Sequence, residues 1–92
     1  MLFEWDEAKN RANILKHGID FNDVPGIFQH PMLVFHDDRM AYGEERWITI
    51  GLIKTLIGVV VYTERRDDVI RIISARKATK QEAIRYVENI EN

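Results

Sequence analysis

The chain has no cysteine. A disulfide scaffold, a thiol nucleophile and a cysteine zinc site are thereby excluded, and a cytoplasmic home is expected. No apolar run approaches the roughly 18 residues of a membrane span. The longest, residues 56–62, suits one buried strand. The first residues, Met1-Leu2-Phe3-Glu4-Trp5-Asp6, have no basic region followed by an apolar one, so a secretory signal is not expected. No repeat, linker or low-complexity segment divides the 92 residues, which are read as a single domain, 1–92, with one modest core. An apolar fraction of 46% excludes intrinsic disorder. A global basic charge, the strong electrostatic sign of a nucleic-acid binder, is also missing, since the net charge is -2.

The near-neutral total hides an asymmetry. Residues 1–45 hold 4 basic and 9 acidic side chains, whereas residues 46–86 hold 9 basic and 4 acidic ones. Either the halves neutralise each other in the fold, or the basic half meets an anionic partner.

Elements can be placed along the chain. Residues 2–5 form a short strand. Asp6 caps a helix with Glu7 in its first turn, and Gly18 stops it. Ala8, Ala12 and Leu15 share one face at helical spacing, with Ile14 beside them. Asp20 caps a second short helix with apolar Phe21, Val24, Ile27 and Phe28, interrupted by Pro25-Gly26. Residues 33–36 read as a strand. Residues 46–53, 56–64 and 69–76 follow as three strands, and their short connections permit only antiparallel hairpins. Thr79-Lys80-Gln81-Glu82 is a capping box that opens a final helix with Ala83, Tyr86, Val87 and Ile90 on its apolar face. The expected class is α+β: an antiparallel sheet of about four strands, with two N-terminal helices and one C-terminal helix packed on it.

The densest chemistry lies in residues 63–77. Arg65, Arg66, Arg71, Arg76 and Lys77 sit within or beside strands. Guanidinium stays charged at every cellular pH, and its planar fork fits phosphate through two parallel hydrogen bonds. Regular alternation sets Arg71 on one face with Val69, Ile73 and Ala75, and Arg76 on the other, unless a bulge re-aims it. Arg65 shares a face with Val61 and Thr63. The competing role for these arginines is ion pairing with Glu64, Asp67 or Asp68.

Phe3-Glu4-Trp5-Asp6, Lys9, Asn13, residues 16–21, Gly43-Glu44-Glu45-Arg46-Trp47, Ile50-Gly51, Tyr62-Thr63-Glu64-Arg65 and residues 70–79 together resemble the BrnT toxin family in order and spacing. The chain departs from that pattern at Pro25-Gly26. The resemblance implies a RelE-like fold and a ribonuclease toxin of a type II toxin–antitoxin system that blocks translation. It also implies a cognate ribbon-helix-helix antitoxin (BrnA-like) and autorepression of the shared promoter. The ribosome is a further candidate partner, and exposed apolar surface would allow a homodimer in the antitoxin's absence.

The chemistry that fits is attack by an RNA 2′-hydroxyl on the adjacent phosphorus. It needs a base, an acid and cations around the phosphorane. No histidine–carboxylate cluster at metal-ligand spacing is evident, so cleavage without metal or other cofactor is expected. His17 is the candidate general acid or base, because histidine exchanges protons near neutrality. The alternative is that it complements a helix C-terminus. Arg65, Arg71 and Arg76 complete the candidate catalytic set. Lys16, Glu64, Lys77 and Lys80 are candidates for RNA contact, with Glu64 read as an arginine orienter. Trp5 is read as core, while Trp47 is a candidate for base stacking. The competing function is a non-catalytic antitoxin-binding module.

Overall fold

The computed structural model describes residues 1–90. In chain order the elements are β1 (Leu2–Glu4), α1 (Glu7–His17), two 3-10 turns (Phe21–Asp23 and Pro25–Gln29), β2 (Leu33–His36), β3 (Trp47–Ile53), β4 (Leu56–Arg65), β5 (Val69–Lys77) and α2 (Lys80–Ile90).

The three long strands form the expected antiparallel hairpins, with Ile50 opposite Val59 and Arg65 opposite Val69. β2 adds to β3 in antiparallel fashion, with Phe35 opposite Ile48. Five strands, not four, make up the sheet, in the order β1-β5-β4-β3-β2. The fifth is β1, which joins β5 in parallel through Leu2, Phe3 and Glu4. The Leu2 N–H donates to the Asp68 carbonyl, and the chain's amino group pairs with the Asp68 carboxylate at 3.1 Å. Three residues carry little alternation, which is why the sequence shows them as a strand without showing their partner.

The sheet has two covered faces. On one, Phe21, Val24 and Ile27 pack with Val60, Tyr62, Ile70, Ile72 and Ala75. On the other, Tyr86 of α2 packs with Ile50 and Val59, flanked by Leu33, Phe35 and Ile48. Phe21, Val24, Ile27 and Val60 are fully buried, and each such side chain contributes about 1.5–3 kcal/mol.

Only one N-terminal α-helix forms. The expected second helix is two short 3-10 turns. Asp20 caps the first by accepting from Asn22 N–H. Pro25 then ends it, because a proline has no N–H to donate to an earlier carbonyl. The turns sit close on the sheet: a Cβ at Gly51 would lie 2.7 Å from Ile27 Cγ1. Glycine there lets the backbone and the turn approach.

α1 begins and ends where its residues direct. Asp6 accepts from the N–H groups of Ala8 and Lys9, and Gly18 closes the helix at φ 72°. Its buried face, however, is polar. Asn10 and Asn13 are buried, whereas Ala8 and Ala12 are exposed and Leu15 is 89% exposed. Asn13 donates to the carbonyls of Ile19 and Ala75 and accepts from Ala75 N–H. Asn10 accepts from Phe21 N–H and donates to Asp20. β1 pairs only the first three residues of β5, so Ala75 lies on an unpaired edge, and the Asn13 amide supplies what a neighbouring strand would. Helical spacing reveals an apolar stripe, but a backbone edge selects amides over methyl groups.

Asn13→Ala should therefore cost about 2–4 kcal/mol, since it leaves buried backbone groups without partners. Leu15→Ala should change stability by less than about 0.5 kcal/mol. Urea midpoints of the two variants test the reversal of the expected face.

Candidate functional site

The register of β4 and β5 slips once. Tyr62 faces Ile72 and Val61 faces Ser74, which leaves Ile73 as an extra residue on β5. Such a bulge reverses the alternation beyond it. Ile70 and Ile72 point into the core under the 3-10 turns, and after the bulge Ala75 takes that side. Arg71, Ser74 and Arg76 therefore share the other face. Regular alternation would have separated Arg71 from Arg76, and the mid-strand bulge overturns that expectation.

Arg71 lies opposite Thr63, and Arg65 stands two residues further along β4 on the same face. Arg46 reaches this region too: Arg46 Nε and Arg65 Nη2 approach opposite oxygens of Glu44, at 3.3 and 3.7 Å. The Glu45 carbonyl accepts from the Thr63 hydroxyl at 2.6 Å, so the segment preceding β3 closes over this end of the face. Arg46 also stacks over Tyr42, and Arg85 of α2 lies over Phe35.

Arg65, Arg71 and Arg76 are each held by a carboxylate from another part of the chain. Arg71 donates to Glu4 of β1 at 2.5 Å. Arg76 makes a forked pair with Glu82 of α2, at 2.7 and 2.9 Å. The arginines do pair with carboxylates, the competing role, but with Glu4, Glu44 and Glu82 and not Glu64, Asp67 or Asp68, because the sheet brings distant elements nearer than chain neighbours that point elsewhere. The Arg76 guanidinium holds the Glu82 carboxyl far below its usual range, at about 2, helped by the Thr79 N–H. The same contact raises the pKa of Arg76. A guanidinium has five N–H donors, so one or two bonds to carboxylate leave others free.

A second group lies at the β5 edge. Lys9, Lys16 and His17 of α1 line a groove with Ile73 and Ser74. Lys16 and His17 have no side-chain hydrogen bond or salt bridge among the described residues. Ser74 thus stands between the arginine face and this groove.

The other candidates are not gathered here. Glu64 lies opposite Ile70 and so faces the other way. Lys77 lies opposite Gly58, on the side of Ala75. Lys80 lines an apolar groove along α2 with Ala83, Ile84 and Val87. Trp5 packs on the core edge-on to Phe21, as expected. Trp47 also packs there, and it lines a cleft with Glu44, Thr63 and Arg65. Sequence reasoning missed Ser74, Arg39 and Arg46. Two of these carried a signal, since Asp37-x-Arg39 and Glu44-x-Arg46 are paired charges at strand spacing. Among the described residues no three histidine or carboxylate side chains stand together as metal ligands. No helix among them is long and apolar enough to cross a membrane.

A five-stranded α+β sheet with an arginine-lined face and a basic groove at its edge defines the class. The chain belongs to the family described as "Ribonuclease toxin, BrnT, of type II toxin-antitoxin system", whose model matches residues 5–82. Its structure is similar to the crystal structure of the Brucella abortus ribonuclease toxin BrnT, with a TM-score of 0.65 and 26% identity over 87% of this chain and 100% of that one. No curated protein matches. The expected RelE-like description, with its four strands and two N-terminal helices, gives way to the BrnT fold. Membership implies a cognate antitoxin.

The Glu82 carboxyl titrates lower in the folded protein than in the unfolded chain. Its contribution to stability is therefore complete above the ordinary carboxylate range and is lost as pH falls from 4.5 towards about 2. Glu82→Gln should flatten stability against pH across that window. Urea midpoints measured through it provide the check.

Proposed function

We propose that the chain is an endoribonuclease that cuts RNA without a metal and thereby blocks translation. The observation that carries this reading is the gathering of Arg71, Ser74 and Arg76 on one face, beside the groove that holds Lys16 and His17. A phosphodiester laid across the β5 edge meets cations from both sides. Arg71 and Arg76 donate to the phosphate oxygens and stabilise the charge that builds on the phosphorane. His17 exchanges the proton of the 2′-hydroxyl or of the leaving 5′ oxygen. Lys16 adds positive charge at the same edge, and Arg65 holds a neighbouring phosphate. Lys77 and Lys80 lie apart from this centre and act at most in steering RNA. The antitoxin, of the ribbon-helix-helix type, would silence the enzyme by covering the arginine face.

One observation favours a second reading. Arg65, Arg71 and Arg76 all have carboxylate partners, as they would in a face made to bind an antitoxin rather than to cleave. Incubating the purified protein with RNA and mapping new 5′ ends separates the two readings.

Expression without the antitoxin should arrest growth. The double variant Arg71→Ala, Arg76→Ala should relieve that arrest and slow RNA cleavage by roughly 100-fold or more while circular dichroism stays unchanged. A folded double variant that still arrests growth fully would refute the site. Cleavage should persist in a chelator, and loss restored by magnesium would refute the metal-free mechanism.

A further inference from the structure

The segment joining β2 to β3, residues 37–46, carries a charged pair that the catalytic proposal does not use. Asp37 is buried, with no side-chain exposure, and Arg39 beside it is 63% exposed. Arg39 Nε and Nη2 donate to the two oxygens of Asp37 at 2.7 and 2.8 Å. The Arg39 backbone N–H donates to the same carboxylate at 3.3 Å. A fully buried carboxylate with this many donors is a fixed support. It takes one edge of the guanidinium and leaves the other N–H groups in solvent.

The support is aimed at the proposed site. Asp37 continues the β2–β3 ladder through its N–H to the Arg46 carbonyl. It therefore follows Leu33 and Phe35 onto the face of Ile48 and Val59, which is also the face of Arg76. Arg39 is near enough to Arg76 that their charges repel. A further anion would be drawn to the N–H groups that Asp37 and Glu82 leave free on these two cations.

We infer that Arg39, held in place by Asp37, is an RNA phosphate-binding residue that takes the phosphodiester next to the one gripped by Arg71 and Arg76. The inference rests on the ribonuclease reading. It assigns to Asp37 the role of a positioning residue, which touches Arg39 and not the RNA.

The test is binding of the full chain to single-stranded RNA oligonucleotides, followed by fluorescence anisotropy across a salt series. Arg39→Ala should reduce the slope of log affinity against log salt by about 0.7, the share of one phosphate contact on a single strand. Affinity should fall roughly tenfold, equally for RNAs of different sequence. Arg39→Lys guards against misfolding, because it keeps a cation beside Asp37. It should preserve the salt slope but raise KM, since the fork is lost. A purely structural Arg39 would leave the slope of both folded variants unchanged, and that result would overturn the subsite. A wild-type protein that binds no RNA at low salt would instead overturn the ribonuclease reading beneath it. Weakening confined to one RNA sequence would also count against it, as phosphate contacts carry no sequence information.

Discussion

A single extra residue in β5 governs where the charges of this protein lie. Without the bulge at Ile73, the side chains of Arg71 and Arg76 would leave opposite faces of the sheet, and one of them would point into the core beneath the 3-10 turns. The slip costs regular pairing at one position, and the structure offsets that loss from the side. Ala75 just beyond the bulge has no strand on its outer side, because β1 ends opposite Arg71. Asn13 supplies both the donor and the acceptor that Ala75 needs. The same residue thereby fixes α1 against the β5 edge, which sets Lys16 and His17 beside Ser74. One amide thus links the helix, the irregular strand and the edge groove.

The arginine face is held together by electrostatics that contribute more to geometry than to stability. The paired side chains are half exposed, and ion pairs in such settings add little net free energy. Their effect is to limit the rotamers of long, flexible side chains. Glu4, Glu44 and Glu82 come from β1, from the segment before β3 and from α2, so the guanidiniums are oriented by three elements that the sequence keeps far apart. An arginine oriented before its ligand arrives loses less entropy on binding. The partner carboxylates also reduce the mutual repulsion of the face, which helps the fold tolerate so many like charges in one place.

The legible parts of the fold were those encoded locally. Asp6, Gly18 and the apolar runs of β3 and β4 act within a few residues, and each appears in the structure where its chemistry places it. What could not be read depends on partners distant in sequence. Asn13 looks like a surface residue until the bare edge of β5 is beside it. Leu15 looks like core until that edge claims the opposite side of α1. Ile73 carries no mark of a bulge, because isoleucine suits either face of a strand. The arginines were visible as a group, yet their partners were not. Pro25 was the opposite case: the local signal was plain, and the two 3-10 turns are its direct consequence.

Glu82 joins these two kinds of information in one residue. As the third residue of a capping box it accepts from the Thr79 N–H at 2.8 Å, while its own N–H donates to the Thr79 hydroxyl at 3.2 Å. That much is local, and glutamine would serve the same box. Its two oxygens, however, also take the fork of Arg76. Glutamine cannot match this, because it has one acceptor oxygen and no charge. The first turn of α2 and the orientation of Arg76 are therefore set by the same carboxylate. Any partner that pulls Arg76 away also loosens the start of α2, and any partner that grips α2 also constrains the arginine. A residue whose local motif explains it completely on paper thus acts as the mechanical link between the C-terminal helix and the charged face of the sheet.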